Sequence, residues 1–344
     1  MHNYQRPIKE KELVQPVQLC DEHGKLNPGA VGWSRKPLTN CNLSGHFLRK
    51  KRWNYWAVTT SDSLFSITIS NVDYLGMVFA YFLDFKTKRF TEKTLSPLFS
   101  KGCDMPEGVY ESVSYNDPAL SASFTSTPEK TGVLVHCPDF GGYKLDADFK
   151  IRYPKGHQTM SVVIPWTRKV FQYTSKHNCL PASGSVTLGS ETYKMKKGDG
   201  FACLDYGRGI WPYASIWNWS SFSGKSGGHV IGVNLGGKWT DGTGLTENSL
   251  TCDGILTKLS EDVDFLYDTS DYMKPWTIAT RDTKRVQLTF TPFYERIAST
   301  EALILKSSVH QMFGSFQGTI IPDGERPIKV DNLIGWAEDH QARW

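Results

Sequence analysis

The segment LDYGRGIWPYASIWNW, at residues 204–219, sets one carboxylate and one guanidinium beside several tryptophans. Read as a strand, it places on one face Trp211, Tyr213, Ser215, Trp217 and Trp219. A face so rich in aromatic rings either packs between two sheets or lines a cavity in a barrel. Because Asp205 has the same parity as these rings, we expect part of the segment to face a ligand.

Asp205 is the candidate acid–base residue of this segment, with Tyr213 assisting. The indole faces would hold cationic character by cation–π attraction, each contributing on the order of 1 kcal/mol. Asn218 would orient a substrate, and Arg208 would contact it. Arg208 lies between Gly207 and Gly209, where the backbone can bend sharply. A guanidinium near Asp205 would favour its ionised form. Asp205 could therefore act as a base or form a structural ion pair, and these roles stay open besides that of an acid.

A second candidate segment is the glycine-rich stretch NLGGKWTDGTGLTEN at 234–248. Asn234, Trp239 and Asn248 offer contacts to a ligand that the glycines let approach closely, although a surface hairpin is an equal alternative. Glu247 is the second carboxylate and would assist Asp205. Paired carboxylates also serve glycoside chemistry, so a carbohydrate-active enzyme using Asp205 and Glu247 is one alternative function.

Two further segments carry ionisable and aromatic groups. In HFLRKKRWNYW, at 46–56, even spacing places Lys51, Trp53 and Tyr55 together, where they could clamp a planar or anionic ligand, and His46 is a further candidate contact. Lysine stems packing along the rings is the favoured interpretation. Near the C-terminus, Glu338 and His340 are possible acid–base groups, with structural capping favoured over catalysis.

Period-two alternation dominates the chain and predicts the elements that position these residues. Residues 143–151 alternate apolar and charged side chains, as an antiparallel strand with one wet face does. Helical periodicity is scarce, with room for a turn or two at 95–101 and 295–301. The sequence therefore predicts an all-β protein built from two antiparallel barrel or sandwich halves with few short helices.

The expected domains follow from this pattern. Residues 1–40 would form an irregular segment wrapping the core, 41–175 a first β domain, and 180–344 a second one that carries the aromatic pocket. Proline, serine and glycine cluster at 172–184, which favours a boundary there.

Composition excludes several function classes. The formal charge is +4 and the basic residues are scattered, so no nucleic-acid partner is expected. The seven cysteines form no CxxC pair, which favours a reducing, cytoplasmic location. The most apolar run, at 74–85, is too short to span a membrane. A zinc site is not expected, because the possible ligands Cys20, His23 and Cys41 lack a clear fourth partner. No nucleotide-binding motif occurs, so we expect no cofactor either. Nothing in the sequence indicates an oligomeric state.

A sparse pattern in the second half resembles known enzymes. It comprises Gly184, Val186, Gly189, Tyr193, Gly200, Phe201, Asp205, Gly207 and the run Trp217-Asn218-Trp219. These positions are similar to the lipocalin-like hydroxyneurosporene synthase and tocopherol cyclase proteins. The resemblance implies that an acid protonates an olefin and that aromatic walls hold the cation until water or a hydroxyl captures it. It places Asp205 at the family's Asp position, but Arg208 departs from the usual aromatic–glycine pair.

Over its whole length the chain resembles the bacterial and fungal family called Domain of Unknown Function 2804. The segments that carry this are NLSGHFLRKKRWNYW at 42–56, LPASG at 180–184, LDYGRG at 204–209, WNWSSFSG at 217–224, GVNLGGKWTDGTGLTEN at 232–248 and GWAEDHQARW at 335–344. The resemblance implies a lipocalin-like architecture in each half.

The sequence thus favours a cofactor-independent hydratase, isomerase, cyclase or lyase that acts on an unsaturated or polycyclic small molecule. Besides the carbohydrate-active alternative, a non-catalytic carrier of a hydrophobic ligand stays open. A carrier would have a cavity in which no acid can touch the ligand.

Overall fold

A computed structural model describes residues 10–196, 198–302 and 305–343. Within these residues, strands dominate, and the helical structure consists of a short 3-10 turn at Pro28–Ala30. None of the described helices is long and apolar enough to cross a membrane. The predicted all-β fold with few short helices is confirmed.

The strands of the first two thirds of the chain are β1 (Val17–Gln18), β2 (Gly32–Ser34), β3 (Thr39–Asn40), β4 (Lys50–Thr59), β5 (Ser63–Asn71), β6 (Gly76–Asp84), β7 (Phe90–Leu95), β8 (Val113–Tyr115), β9 (Ser121–Ser126), β10 (Lys130–Cys137), β11 (Leu145–Arg152), β12 (Met160–Pro165), β13 (Phe171–Leu188), β14 (Glu191–Lys194) and β15 (Gly200–Ile210). Those that follow are β16 (Ala214–Ser226), β17 (His229–Gly237), β18 (Ser249–Cys252), β19 (Ile255–Lys258), β20 (Val263–Leu266), β21 (Trp276–Thr280), β22 (Val286–Ala302), β23 (Leu305–Ile320) and β24 (Ile328–Arg343).

These strands form two large curled sheets. The first sheet has the order β7-β6-β5-β4-β15-β13-β11-β10-β9-β8, with β12 and β14 pairing along β13 and β2 pairing with β12. The second sheet has the order β19-β18-β17-β16-β24-β23-β22-β21-β20. All of these pairings are antiparallel, whereas β1 and β3 form a separate parallel pair. The predicted antiparallel two-part architecture is confirmed.

The chain passes from the first sheet to the second within residues 211–213. The segment 172–184, expected to separate two β domains, lies inside the long strand β13 instead. Its Pro181 and Gly184 do not end the strand, because β13 bulges between His177 and Leu180 and then continues to Leu188. The first sheet therefore also contains β15, which the sequence assigned to the second half.

Two other expectations also change. Residues 295–301 lie within β22, and 95–101 are the end of β7 and a turn, so neither forms the expected helical turn. At β22 the cross-strand pairing with β23 overrides the local preference of the sequence.

The N-terminal segment within the described residues contacts both sheets. Glu10 is buried and pairs with Lys258 at 2.7 Å, which ties this segment to the second sheet. The pairing of β2 with β12 ties it to the first sheet.

Each sheet curls around its own apolar core, and a third core joins them. The first core lies inside the first sheet and the second core inside the second sheet. Between the sheets, aromatic side chains from both pack together, among them Tyr55, Tyr81, Trp219, Phe313 and Trp336. The facing surfaces of the two sheets are thus buried against each other, and this is where a ligand site can form.

Gly207 allows the Trp53 ring to pack directly against the backbone of β15. It pairs with Trp53 across β15 and β4, and a Cβ on Gly207 would overlap the Trp53 indole. Gly209 similarly leaves room for the Gln172 side chain. Neither glycine has a positive φ, and both lie within strand β15. These glycines make space for side chains.

We expect Gly207→Ala to destabilise the protein by about 2 kcal/mol, because the added methyl group displaces the Trp53 ring in a packed interior. Gly132→Ala is the matched control, since a Cβ on this strand glycine meets open space. Urea denaturation of both variants measures the difference. Equal free energies of unfolding for the two variants would contradict the packing role of Gly207.

Candidate active site

A cavity of about 480 Å³ lies between the two sheets. Strands β4, β5, β6, β7, β13 and β15 line it from the first sheet, and β16, β22, β23 and β24 from the second. Trp239 and Glu247, from the loop that follows β17, complete the wall.

Cross-strand register explains why the cavity side chains meet. In antiparallel sheets, directly opposed residues point to the same face. A row across the first sheet consists of Lys176, Asp205, Tyr55, Thr68 and Phe79. A row across the second sheet consists of Trp219, Glu338, Gln311 and Arg296. All members of both rows line the cavity, so each sheet presents one transverse row of polar and aromatic groups to the other.

Lys176 is the buried cation of this cavity. Its Nζ lies 2.8 Å from Asp205 Oδ2 and 3.2 Å from Glu247 Oε2, and 4.4 Å from the centre of the Trp219 ring. Burial alone would lower the pKa of Lys176, but the two carboxylates raise it above its ordinary value. Lys176 therefore stays charged and serves as counter-ion to both acids.

The two acids that share Lys176 differ in their exposure and in their hydrogen bonds. Glu247 is 2% exposed and accepts hydrogen bonds from Trp239 Nε1 at 2.7 Å and from Asn234 Nδ2 at 3.3 Å. Asp205 is 14% exposed and accepts a bond from Thr174 Oγ1 at 3.3 Å. Glu247 is thus locked in the wall, whereas the Asp205 carboxylate can reach a ligand.

Glu338 is the third carboxyl group of the cavity. It accepts hydrogen bonds from Trp217 Nε1 at 3.1 Å and from Gln311 Nε2 at 3.2 Å. Burial raises the pKa of Glu338 to about 7, and the Trp217 hydrogen bond and the Lys176 charge offset only part of this effect. A carboxyl group with this pKa can donate or accept a proton near neutral pH.

His340 and Arg296 lie on the same side of the cavity as Glu338. His340 stacks on Trp217 with ring centres 3.9 Å apart and its Nε2 lies 2.8 Å from Ser307 Oγ. Burial and the charge of Arg296 lower the pKa of His340 to about 3, so this ring is neutral at physiological pH. Arg296 pairs with Glu92 at 2.6 Å, and its charge is therefore balanced locally.

The indoles form a connected wall around Trp211. Its ring stacks on Trp239 at 5.2 Å and contacts Trp217 at 5.5 Å and Trp53 at 6.0 Å. Its Nε1 donates to Gln172 Oε1 at 2.7 Å. The Trp211 edge is thus held by an acceptor in the wall, and the rings pack on one another to form a continuous aromatic surface.

The structure brings ten of the residues named from the sequence to the cavity. They are Trp53, Tyr55, Asp205, Trp211, Trp217, Trp219, Trp239, Glu247, Glu338 and His340. Trp211 lies in the connection between β15 and β16, so it does not belong to one continuous strand with Trp217 and Trp219.

The other candidate ligand-contacting residues named from the sequence do not line the cavity. They are His46, Lys51, Arg208, Tyr213, Asn218, Asn234 and Asn248. Tyr213 is 62% exposed, because the turn at Pro212 directs it outward beneath Arg49. His46 bonds to the Gly24 carbonyl at 2.6 Å.

The three asparagines are held by hydrogen bonds within the wall. Asn218 donates to the Glu338 carbonyl, Asn248 accepts from the Gly236 amide, and Asn234 binds both Trp219 and Glu247. They support cavity residues and do not touch the cavity themselves.

Arg208 lies on the opposite face of β15 from Asp205. Its guanidinium donates to Asn54 Oδ1 at 2.8 Å and to the carbonyls of Trp53, Gly207 and Pro106 at 2.8, 2.8 and 3.1 Å. This arginine is a structural group of the first sheet, and Lys176 is the cation that acts on Asp205.

Sequence reasoning missed Lys176. The signal was the alternation of Gln172, Thr174 and Lys176, which places three polar side chains on one face of a long strand. The proline and glycine that follow made the segment resemble a boundary. Glu338 was considered, and only its burial among aromatic rings distinguishes it from a capping residue.

Three residues of the kinds that bind metal ions lie close together outside the cavity. Atoms of His229, Cys252 and Asp253 are all within 4.8 Å of one another. Asp253 already accepts bonds from His229 Nδ1 at 2.7 Å and from the Val230 amide at 2.8 Å, and burial raises the pKa of the Cys252 thiol to about 11. Hydrogen bonding between two hairpin turns accounts for this arrangement.

The model of the domain of unknown function DUF2804 matches residues 10–344. The chain belongs to that family. None of the curated proteins matches the DUF2804 chain by sequence.

Solved structures share its fold at low sequence identity. CghA, crystallised with Sch210972, is 11% identical with a TM-score of 0.54, over 86% of this chain and 89% of CghA. Kievitone hydratase from Nectria haematococca is 10% identical with a TM-score of 0.45, over 85% of this chain and 88% of its own. The likeness to CghA confirms the predicted lipocalin-like fold.

Glu338 predicts a pH-dependent stability. Its pKa is about 7 in the folded protein against an ordinary 4.5, so the native state binds more protons between these values and loses stability as the pH rises through them. Glu338→Gln removes this effect. We expect the variant to gain up to about 3 kcal/mol relative to the wild type between pH 4.5 and pH 8.5.

Urea denaturation at several pH values measures this difference. Glu129→Gln is the control, since Glu129 is exposed in the connection between β9 and β10 and lies outside the cavity lining. A constant difference between wild type and Glu338→Gln across this range would contradict the raised pKa of Glu338.

Proposed function

We propose that this protein is a cofactor-independent acid–base enzyme of the hydratase, isomerase, cyclase or lyase type. Its substrate is an unsaturated or polycyclic small molecule that occupies the cavity between the sheets. The observation that carries the proposal is Glu338, a buried carboxyl group with a pKa of about 7 beside an indole wall. The likeness to CghA, which was crystallised with Sch210972, supports a ligand in this fold.

The reaction begins with proton transfer. The Glu338 carboxyl donates its proton to an unsaturated carbon, which leaves a carboxylate on Glu338 and a positive charge on the substrate. The aromatic rings that line the cavity attract that charge. Water or a hydroxyl of the substrate then bonds to the cationic carbon and releases a proton, or the substrate loses a proton from a neighbouring carbon.

Asp205 is the group placed to take up the released proton. Its carboxylate is the more exposed partner of Lys176 and lies on the sheet opposite Glu338. Two carboxyl groups with different environments can divide the roles of acid and base, because burial keeps one protonated while a cation stabilises the other. Lys176 and Glu247 position Asp205 and are not themselves reacting groups.

The alternatives fit the geometry less well. In a carbohydrate-active enzyme, Asp205 and Glu247 would act as acid and base, but both are paired with the same ammonium group and Glu247 is locked in the wall. A carrier would have no acid in reach of its ligand, whereas Glu338 and Asp205 both line the cavity.

Proton transfer to carbon can be tested without knowing the product. A panel of unsaturated and polycyclic compounds is incubated with the enzyme in D₂O, and mass spectrometry detects deuterium bound to carbon. We expect Glu338→Gln to lower the rate by about 10²-fold or more, as loss of a general acid does. The wild-type rate should fall as the pH rises above about 7, because Glu338 then loses its proton.

Tyr213→Phe serves as the matched control, since this exposed phenol lies outside the cavity lining. It should retain the wild-type rate. Undiminished deuterium incorporation by Glu338→Gln would remove Glu338 from the proposed mechanism.

A further inference from the structure

Gln172 is a polar residue of the cavity wall that the proposed reaction does not use. It lies on β13, its side chain is fully buried, and it lines the cavity. Among the residues that the structure describes, its Nε2 has no hydrogen-bond partner. A buried amide N–H without a partner is costly, and most such groups in native proteins are paired. A ligand in the cavity can supply the partner for this N–H.

The protein itself sets the direction of the Gln172 amide. Trp211 Nε1 can only donate, and it donates to Gln172 Oε1 at 2.7 Å. The amide oxygen is therefore bound within the wall, and Nε2 is the end that a ligand can use. Gly209, the cross-strand partner of Gln172, leaves room for this arrangement, because a Cβ there would overlap Gln172 Oε1.

Thr68 is a second side chain of the cavity lining with such an atom. Its Oγ1 is buried and has no hydrogen-bond partner in the part of the chain that the structure describes. A threonine hydroxyl rotates and can donate as well as accept, so Thr68 does not define one kind of ligand group. Gln172 Nε2 can only donate, so its partner must be an acceptor.

The charges of the cavity favour an acceptor that is neutral. The charged and titratable side chains of opposite sign that line it are Glu92, Asp205, Glu247, Glu338, Lys176 and Arg296. Lys176 is already paired with Asp205 and Glu247, and Arg296 is paired with Glu92. An anionic ligand would therefore add charge to a buried space whose cations are already balanced. A carbonyl oxygen accepts a hydrogen bond without adding charge and, unlike a hydroxyl, brings no hydrogen that needs its own partner.

Two indoles connect the Gln172 amide to the proposed acid. Trp211, which binds Gln172, contacts Trp217 with ring centres 5.5 Å apart. Trp217 Nε1 in turn donates to Glu338 Oε1 at 3.1 Å. Gln172 and Glu338 both line the cavity, so one substrate can place an oxygen at the amide and an unsaturated carbon at the acid.

We infer that the substrate is a neutral molecule with a carbonyl group, and that Gln172 Nε2 donates a hydrogen bond to the carbonyl oxygen. Gln172 is then the residue that selects and orients the substrate, while Glu338 transfers the proton. This inference rests on the proposed function and narrows its substrate class to those unsaturated or polycyclic molecules that carry a carbonyl group.

Two ligands of one skeleton isolate the oxygen. 2-Acetylnaphthalene carries a carbonyl group, and 2-isopropylnaphthalene replaces it by carbon at nearly the same size. Equilibrium dialysis of the full-length protein gives the two dissociation constants. Their ratio is compared between the wild type and variants, because the ratio within one protein also contains the difference in hydrophobicity of the ligands.

Gln172→Met removes the donor at nearly constant volume. We expect it to shift the ratio by at least about tenfold against the ketone, since the ketone loses a hydrogen bond and the hydrocarbon no longer buries an unpaired N–H. Gln287→Met is the matched control, because Gln287 is exposed on β22 and lies outside the cavity lining. It should retain the wild-type ratio. A merely structural role of Gln172 would weaken both ligands together and leave the ratio unchanged.

A measurement on the wild type does not depend on the folding of a variant. Carbon-13 NMR of 2-acetylnaphthalene labelled at its carbonyl carbon reports hydrogen bonding to the oxygen. We expect the signal of the bound ketone to lie downfield of its position in cyclohexane, as hydrogen-bonded carbonyls do.

An unchanged ratio in Gln172→Met would overturn the inference, as would a bound carbonyl signal at its cyclohexane position. Binding of neither naphthalene by the wild type, or tighter binding of the anion 2-naphthoate than of the ketone, would also overturn it. Glu338-dependent deuterium incorporation with an unchanged ratio would leave the proposed enzyme class standing and remove only the carbonyl group from its substrate. A shifted ratio without such incorporation would leave Gln172 as a carbonyl-binding residue and remove the proposed reaction.

Discussion

The contact on which the site depends is the buried ammonium group of Lys176 between Asp205 and Glu247. A charged carboxylate taken out of water costs several kcal/mol unless a counter-ion and hydrogen bonds offset the loss. One ammonium group can serve two carboxylates, and Lys176 serves these two. Glu338 lines the same cavity, and burial raises its pKa to about 7, so that a proton neutralises its carboxyl near neutral pH.

The difference between the ion-paired acids and the protonated Glu338 follows from how the two sheets face each other. The first sheet contributes the Lys176–Asp205 pair as cross-strand partners of β13 and β15. The second sheet contributes Glu338 between Trp219 and Gln311, with Trp217 bonded to its carboxyl. Burial raises the pKa of Glu338, while Asp205 is paired with a cation, and two carboxyl groups in such different environments suit acid–base catalysis. The indoles complete it because they exclude water and attract positive charge.

The sequence predicted the fold class well, because period-two alternation reports strands directly. It also grouped Asp205 with the tryptophans of 211–219 by parity along one strand. In the structure Asp205 lies on β15 while Trp217 and Trp219 lie on β16, and it is the facing of the two sheets that brings them to one cavity. Lys176 was not predicted, because Pro181 and Gly184 suggested a domain boundary. In the structure β13 bulges before these residues and continues through them. Tyr213 was misplaced because a turn at 211–213 interrupts the assumed strand. Contacts between sheets depend on packing over long sequence separations, and no local pattern encodes them.

The measurement that tests the central claim most directly is a carbon-13 NMR titration of the Glu338 side-chain carboxyl in the wild type and in Lys176→Met. The signal is assigned by its absence in Glu338→Gln. The account predicts a pKa of about 7 in the wild type and a higher pKa in Lys176→Met, because the Lys176 charge lowers it. A wild-type carboxyl that titrates at its ordinary 4.5, unaffected by Lys176→Met, would contradict the account.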